Sequence, residues 1–216
     1  MDAPSTEPSR PFRSSAWCVV IPVKDARTGK SRLAATVPDA DEQVRRAIAD
    51  DTVRAAVEAL GAEGVVVVTS DRVLGASWSR AGVVVHPDPD AGLNAAVAAG
   101  LAVAAHTGRR TAALLGDLPA VTPADLLAAL AAALGYSDSF VPDREGTGTV
   151  LRCGEGFVPR FGPGSAAAHE RDGAVRLSLD LPRLRTDVDD RDSLLLAEGL
   201  GLGPSTKSAL SRIALG

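Results

Sequence analysis

Cysteine is almost missing from this sequence: Cys18 and Cys153 stand alone, with no CxxC spacing and no metal-type cluster around them. That argues against a disulfide scaffold or a zinc ribbon and points to a reducing compartment, the cytoplasm. Both thiols read as small buried hydrophobes. Aromatic residues are only 3% of the chain against 45% apolar residues in all, so the core must be built from Ala, Val and Leu. His86, His106 and His169 share no zinc spacing, and no G-x-S-x-G elbow is present. No apolar run approaches the roughly 18 residues that span a bilayer. The stretch 1–15, rich in Pro, Ser and Arg, lacks the apolar centre of a signal peptide and is expected to be a disordered leader. A formal net charge of -4 gives no global pull toward nucleic acid or an anionic membrane, so neither is expected as a partner. Any charge that binds phosphate has to be local.

What is present is an alternation of short apolar runs and helical periodicities. The run WCVVIP from Trp17 fits a strand buried on both faces, and Val44, Ile48, Val53, Val57 and Leu60 recur at helical spacing before Gly61. GVVVVTS from Gly64, a short helix near Trp78, GVVVHP from Gly82, an Ala-rich helix from Gly92 and TAALLGD from Thr111 continue the pattern. Alternating strands and helices predict an α/β domain with a mostly parallel sheet, in which ligands bind beyond the carboxyl ends of the strands. Thr122, Pro123 and Asp125 form a helix start. From Tyr136 to Arg185, Gly and Pro become frequent, and this region reads as an elaboration that could form a lid over an acceptor substrate. Asp190 or Asp192 can cap the helix SLLLAEGL. The expected organisation is one domain over 16–203 and a loose tail over 204–216.

Five stretches can carry chemistry. KDARTGKSRL places Lys24 and Lys30 in a loop after the first strand; a Walker A motif would need Gly where Lys24 stands, so what remains is a set of cations and N–H groups suited to a triphosphate, or else a solvated basic loop. Asp117 follows a strand and has no capping duty, because Thr122 already supplies it. A carboxylate there suits Mg²⁺, a hard cation that shares its oxygen ligands with substrate phosphates. In Thr186-Asp187-Val188-Asp189 an extended backbone puts Asp187 and Asp189 on one face, where a cation would relieve their repulsion; an acidic turn before the next helix explains them too. Gly92 permits close backbone approach and Asn94 could read a base edge, although helix entry accounts for the same residues. Finally, Gly146-Thr147-Gly148-Thr149 and Phe161-Gly162-Pro163-Gly164-Ser165 are Gly-rich stretches with hydroxyls, the second opening a helix whose N–H groups favour an anion; turn chemistry is the alternative. His169, one turn after Ser165, could face the acceptor or be a structural histidine.

In their order, VIPVK, GKSRLA, GLNAA, LLGDLPAVT, GTGT, RFGPGS and TDVD resemble the 2-phospho-L-lactate/phosphoenolpyruvate guanylyltransferase family over nearly the whole chain from Val19 to about Leu200. The resemblance implies a Rossmann-like mixed sheet, mostly parallel, with helices on both faces, like the nucleotide-diphospho-sugar transferases. It implies transfer of GMP from GTP to a small phosphorylated carboxylic acid, with pyrophosphate released, in biosynthesis of coenzyme F-420. Residue by residue it implies that Asp117, Asp187 and Asp189 hold Mg²⁺, that Thr147, Gly162 and Ser165 bind the acceptor, and that Lys24, Lys30, Gly92 and Asn94 face GTP, with no general base. An Ala- and Arg-rich composition fits a GC-rich bacterial genome, where phosphoenolpyruvate is the expected acceptor and 2-phospho-L-lactate the alternative. A homodimer and hand-off of product to the next enzyme are compatible with this reading. The rival from another class, a catalytically silent nucleotide-binding regulator, would be marked by loss of the acids, and all three are present.

Overall fold

The computed structural model describes residues 16–26 and 42–214. The expected leader and Lys30 lie outside the described residues. Strand β1 (Trp17–Val23) is buried along its whole length and forms the spine of the molecule. It pairs in parallel with β2 (Val65–Thr69) on one side and with β4 (Arg110–Leu114) on the other, and β3 (Val84–His86) extends the parallel run beyond β2. Antiparallel β6 (Thr149–Gly154) follows β4, then β5 (Asp138–Pro142) and β7 (Val175–Arg176), giving the order β3-β2-β1-β4-β6-β5-β7. The sheet is therefore mixed and mostly parallel, as the alternation predicts.

Alternation along β1 divides the core. Trp17, Val19, Ile21 and Val23 face α1 (Glu42–Leu60), α2 (Arg72–Arg80) and α4 (Pro123–Ala133) in one apolar cluster, while Cys18 and Val20 face α3 (Leu93–Ala104) on the other side. Helices thus cover both faces, which is why the central strands are continuous apolar runs. Both cysteines are buried and free. Thr122 and Asp125 form a reciprocal cap at the start of α4, with Pro123 at its first position. Beyond β6 come α5 (Ser165–Arg171), α6 (Pro182–Arg185) and α7 (Arg191–Leu200), the last capped by Asp190.

The expected tail is instead a helix, α8 (Pro204–Ala214), packed on α1. Its cap is remote in sequence: the buried Asp51 carboxylate accepts the backbone N–H groups of Ser205 (3.0 Å) and Thr206 (2.8 Å). Gly203 N–H donates to the Pro119 carbonyl at 2.8 Å, which fixes the approach of the segment. Local sequence shows only Pro204 at a helix start, so the missing signal is tertiary. Among the described residues no helix is long and apolar enough to cross a membrane.

Candidate active site

Beyond the carboxyl ends of β1 and β4 opens a cavity of about 850 Å³, where an open parallel sheet places its ligands. Lys24, Asp117, Thr147, Gly162, Ser165, Asp187 and Asp189 all line it. Residues spread over 165 positions of sequence are thus brought to one site, and each arrives for a local reason.

Asp117 lies three residues past the end of β4, on a loop tied down at several points. Gly116 is needed there because a Cβ would stand 2.7 Å from the Pro22 carbonyl oxygen. The Leu118 N–H donates to the hydroxyl of fully buried Thr52 at 3.0 Å, and that hydroxyl donates to the Ile48 carbonyl, so α1 anchors the loop. The Val188 N–H donates to the Asp117 carbonyl at 3.0 Å, which lays the 186–189 segment alongside. Val188 is buried between Asp187 and Asp189, so the two acids turn away from the core toward the cavity. The backbone is extended at Thr186 and turns through a bend at Asp189 and Asp190 instead of running on as a strand.

The electrostatics of this corner are unfavourable without a cation. Asp117 Oδ1 is buried with no hydrogen-bond partner. Burial, reinforced by the negative charges of Asp187 and Asp189, pushes the Asp117 carboxyl up to about 7, with Lys24 opposing the shift. Burial also raises Asp187 to about 6, with Asp189, Asp143 and Glu145 adding to it against a backbone hydrogen bond. An orphaned carboxylate oxygen among acids that repel each other is the donor set a hard divalent cation fits. Among the described residues no three His, Cys, Asp or Glu side chains are gathered closely enough to hold a metal ion, Asp117, Asp187 and Asp189 included.

The opposite wall is the loop between β5 and β6. Asp143 organises it: its carboxylate accepts the N–H groups of Thr147 (2.9 Å) and Gly148 (2.6 Å), and a Cβ on Gly148 would collide with it at 2.2 Å. Arg185 clamps the same loop from α6, donating to the carbonyls of Pro142, Asp143 and Arg144, while Arg176 donates to that of Gly146. The Ala166 N–H donates to the Thr147 carbonyl at 3.1 Å and docks α5 against the loop. Ser165, at the start of α5, is buried and its hydroxyl has no partner in the protein. Gly162 adopts φ of 121°, open to glycine and strained for any other residue.

Two expected GTP-facing residues take a different place. Gly92 and Asn94 flank the pocket-lining Leu93, but they are not themselves on the cavity wall. The Asn94 side chain donates to the Phe161 carbonyl at 3.1 Å and accepts its N–H at 2.7 Å, pinning the segment that leads into Gly162. Its amide thus carries a backbone rather than standing free to read a base. Thr52, Asp143, Asn94 in its observed role, and Arg185 are the supports that sequence reasoning missed. Only Asp143 left a signal, as an Asp opening a Gly-containing turn.

A mixed sheet with a cavity of about 850 Å³ lined by a lysine at the end of the first strand and by Asp117, Asp187 and Asp189 fits the nucleotidyltransferase class. The model of the MobA-like NTP transferase domain matches residues 45–183. A phosphoenolpyruvate guanylyltransferase of Thermomonospora curvata is 43% identical over 91% of this chain and 90% of its own, and one of Salinispora arenicola is 45% identical over 89% and 92%. The chain belongs to this guanylyltransferase family. In fold it is similar to a putative nucleotide-diphospho-sugar transferase of Desulfovibrio desulfuricans, with a TM-score of 0.65 and 16% identity over 92% of this chain and 95% of that one.

Proposed function

We propose that this chain transfers GMP from GTP to phosphoenolpyruvate, releasing pyrophosphate and forming enolpyruvoyl-2-diphospho-5'-guanosine, a step of coenzyme F-420 biosynthesis. The observation that carries the reading is the meeting, in one cavity, of the Asp117 carboxylate, with its unpartnered Oδ1, and the Thr147, Gly162 and Ser165 wall, in a chain whose family relatives bear the name phosphoenolpyruvate guanylyltransferase.

In this reading Asp117, Asp187 and Asp189 hold Mg²⁺, which offsets the charge of two anions that must approach each other. Lys24 lies on the triphosphate side, and Lys30 belongs with it. Gly92 and Asn94 stand behind the wall, and Asn94 holds Phe161 and so the segment that leads into Gly162. The Ser165 and Thr147 hydroxyls and the Gly162 N–H grip the acceptor. An oxygen of the acceptor phosphate bonds to the α-phosphorus of GTP while the bond from that phosphorus to the β-phosphate bridging oxygen breaks. A phosphate monoester is already ionised at neutral pH, so no side chain is required as a base, and the site works by positioning and charge neutralisation.

The test is pyrophosphate release with each of GTP, ATP, CTP and UTP crossed against phosphoenolpyruvate, 2-phospho-L-lactate and 3-phosphoglycerate, with Mg²⁺ and with EDTA. Turnover confined to GTP and phosphoenolpyruvate is expected, and its loss in EDTA. Faster turnover with 2-phospho-L-lactate would reassign the acceptor, and no turnover with any pair would overturn the reading.

A further inference from the structure

Behind the acceptor wall lies a buried polar cluster that the proposed reaction does not use. Thr149, at the start of β6, lines the cavity and is 3% exposed. Its hydroxyl oxygen lies 3.0 Å from Nδ1 of His169, which is fully buried on α5 one turn beyond Ser165. The rings of Phe140 and Phe161 pack edgewise on the imidazole at 5.8 and 5.4 Å between centroids. Arg152, also on β6 and opposite Phe140 in the ladder, is buried in the same region. Its Nε and Nη2 donate to the two oxygens of Asp138 at 2.8 and 2.7 Å. Two buried atoms are left without partners, Nη1 of Arg152 and Nε2 of His169.

We propose that Thr149 is a further acceptor-binding hydroxyl, and that His169, backed by Arg152, is a positioning residue that turns the Thr149 proton into the cavity. A hydroxyl has one proton and two lone pairs, and a neutral imidazole has one N–H and one bare nitrogen, so the 3.0 Å contact can be made with only two polarities. Were Thr149 the donor, its lone pairs would face an anionic acceptor, and the imidazole proton would sit on Nε2, where the protein offers no acceptor and a guanidinium lies nearby. With Nδ1–H donating to Thr149, the hydroxyl proton is free for a phosphate or carboxylate oxygen. Nε2 is then bare, in keeping with its having no partner in the protein. Only the second polarity leaves no buried imidazole N–H without an acceptor. The histidine is held neutral, as this requires: burial first, and the Arg152 charge second, depress it to about 4.

The inference rests on the proposed acceptor for its kinetic arm alone. In protein with ¹⁵N-labelled histidine at pH 7, long-range ¹H–¹⁵N correlation, with His169 assigned by its loss in His169→Asn, should show Nδ1 protonated and Nε2 bare. An Nε2–H tautomer or an imidazolium would overturn the relay. Thr149→Val should raise the KM for phosphoenolpyruvate about tenfold, the scale of one hydrogen bond to a charged group, with the KM for GTP unchanged, and Thr149→Ser should restore it. An unaltered phosphoenolpyruvate KM in an active Thr149→Val enzyme would refute the hydroxyl's role. If the wild-type enzyme does not use phosphoenolpyruvate at all, the functional reading fails by itself, and the relay stands or falls on the imidazole signal.

Discussion

Asp117 owes its importance to what it lacks. Its buried Oδ1 has no protein partner, so replacing the carboxylate with an amide removes charge repulsion without breaking a hydrogen bond of that atom. Asp117→Asn should therefore lower turnover by about 100-fold or more while leaving the denaturation midpoint of metal-free protein unchanged or raised. Parallel activity and urea-unfolding measurements check this, and a collapse of stability would contradict the placement. His169 makes a second residue-scale prediction. Its folded value near 4 lies below the ordinary 6.5, so the unfolded chain takes up the proton first. Its contribution to stability is fully present above pH 6.5 and drains away as pH falls toward 4. A His169→Asn protein, which cannot titrate there, should lose up to one proton's worth of slope from the pH dependence of unfolding across that window. An identical slope would mean that the imidazole is not buried in its neutral form.

Elements show where the sequence could be read and where it could not. β1, β2 and α4 were legible because their causes are local: a doubly buried apolar run, or a Thr-Pro-x-Asp start. α8 was illegible because its cap comes from Asp51, more than 150 residues upstream. Asp51→Ala should therefore destabilise the protein by about 1–3 kcal/mol, the usual cost of losing a cap and leaving buried donors unpaired. Hydrogen exchange should show α8 losing protection ahead of β1, and equal protection in mutant and wild type would refute the remote cap. The acids were readable in the same graded way. Asp117 stood out as a residue without a structural duty, whereas the placement of Asp187 and Asp189 depends on the Val188–Asp117 backbone bond, which no spacing rule announces. The two hydrogen bonds of Asn94 to Phe161 were unreadable because the residues stand 67 positions apart and no spacing rule pairs them.

Across the whole molecule, ligand binding and stability are one linked quantity. A site that needs its cation and triphosphate together should show synergy in thermal unfolding: Mg²⁺ with GTP at about 100 times Kd should stabilise the fold by roughly 2.7 kcal/mol, and either one alone by much less. A Tm series with GTP, ATP and Mg²⁺ singly and in combination tests it, and equal shifts for ATP and GTP would contradict guanine selection. The sheet itself has two halves, joined where antiparallel β6 meets β4. Parallel β3-β2-β1-β4 leads into Lys24 and Asp117, while the β6-β5-β7 half carries the hairpin and supports α5. That ladder is not the whole seam, because the Asn94–Phe161 and Val188–Asp117 hydrogen bonds and a shared apolar core cross it too. Descent toward a new acceptor therefore has to exchange the hairpin while keeping those ties.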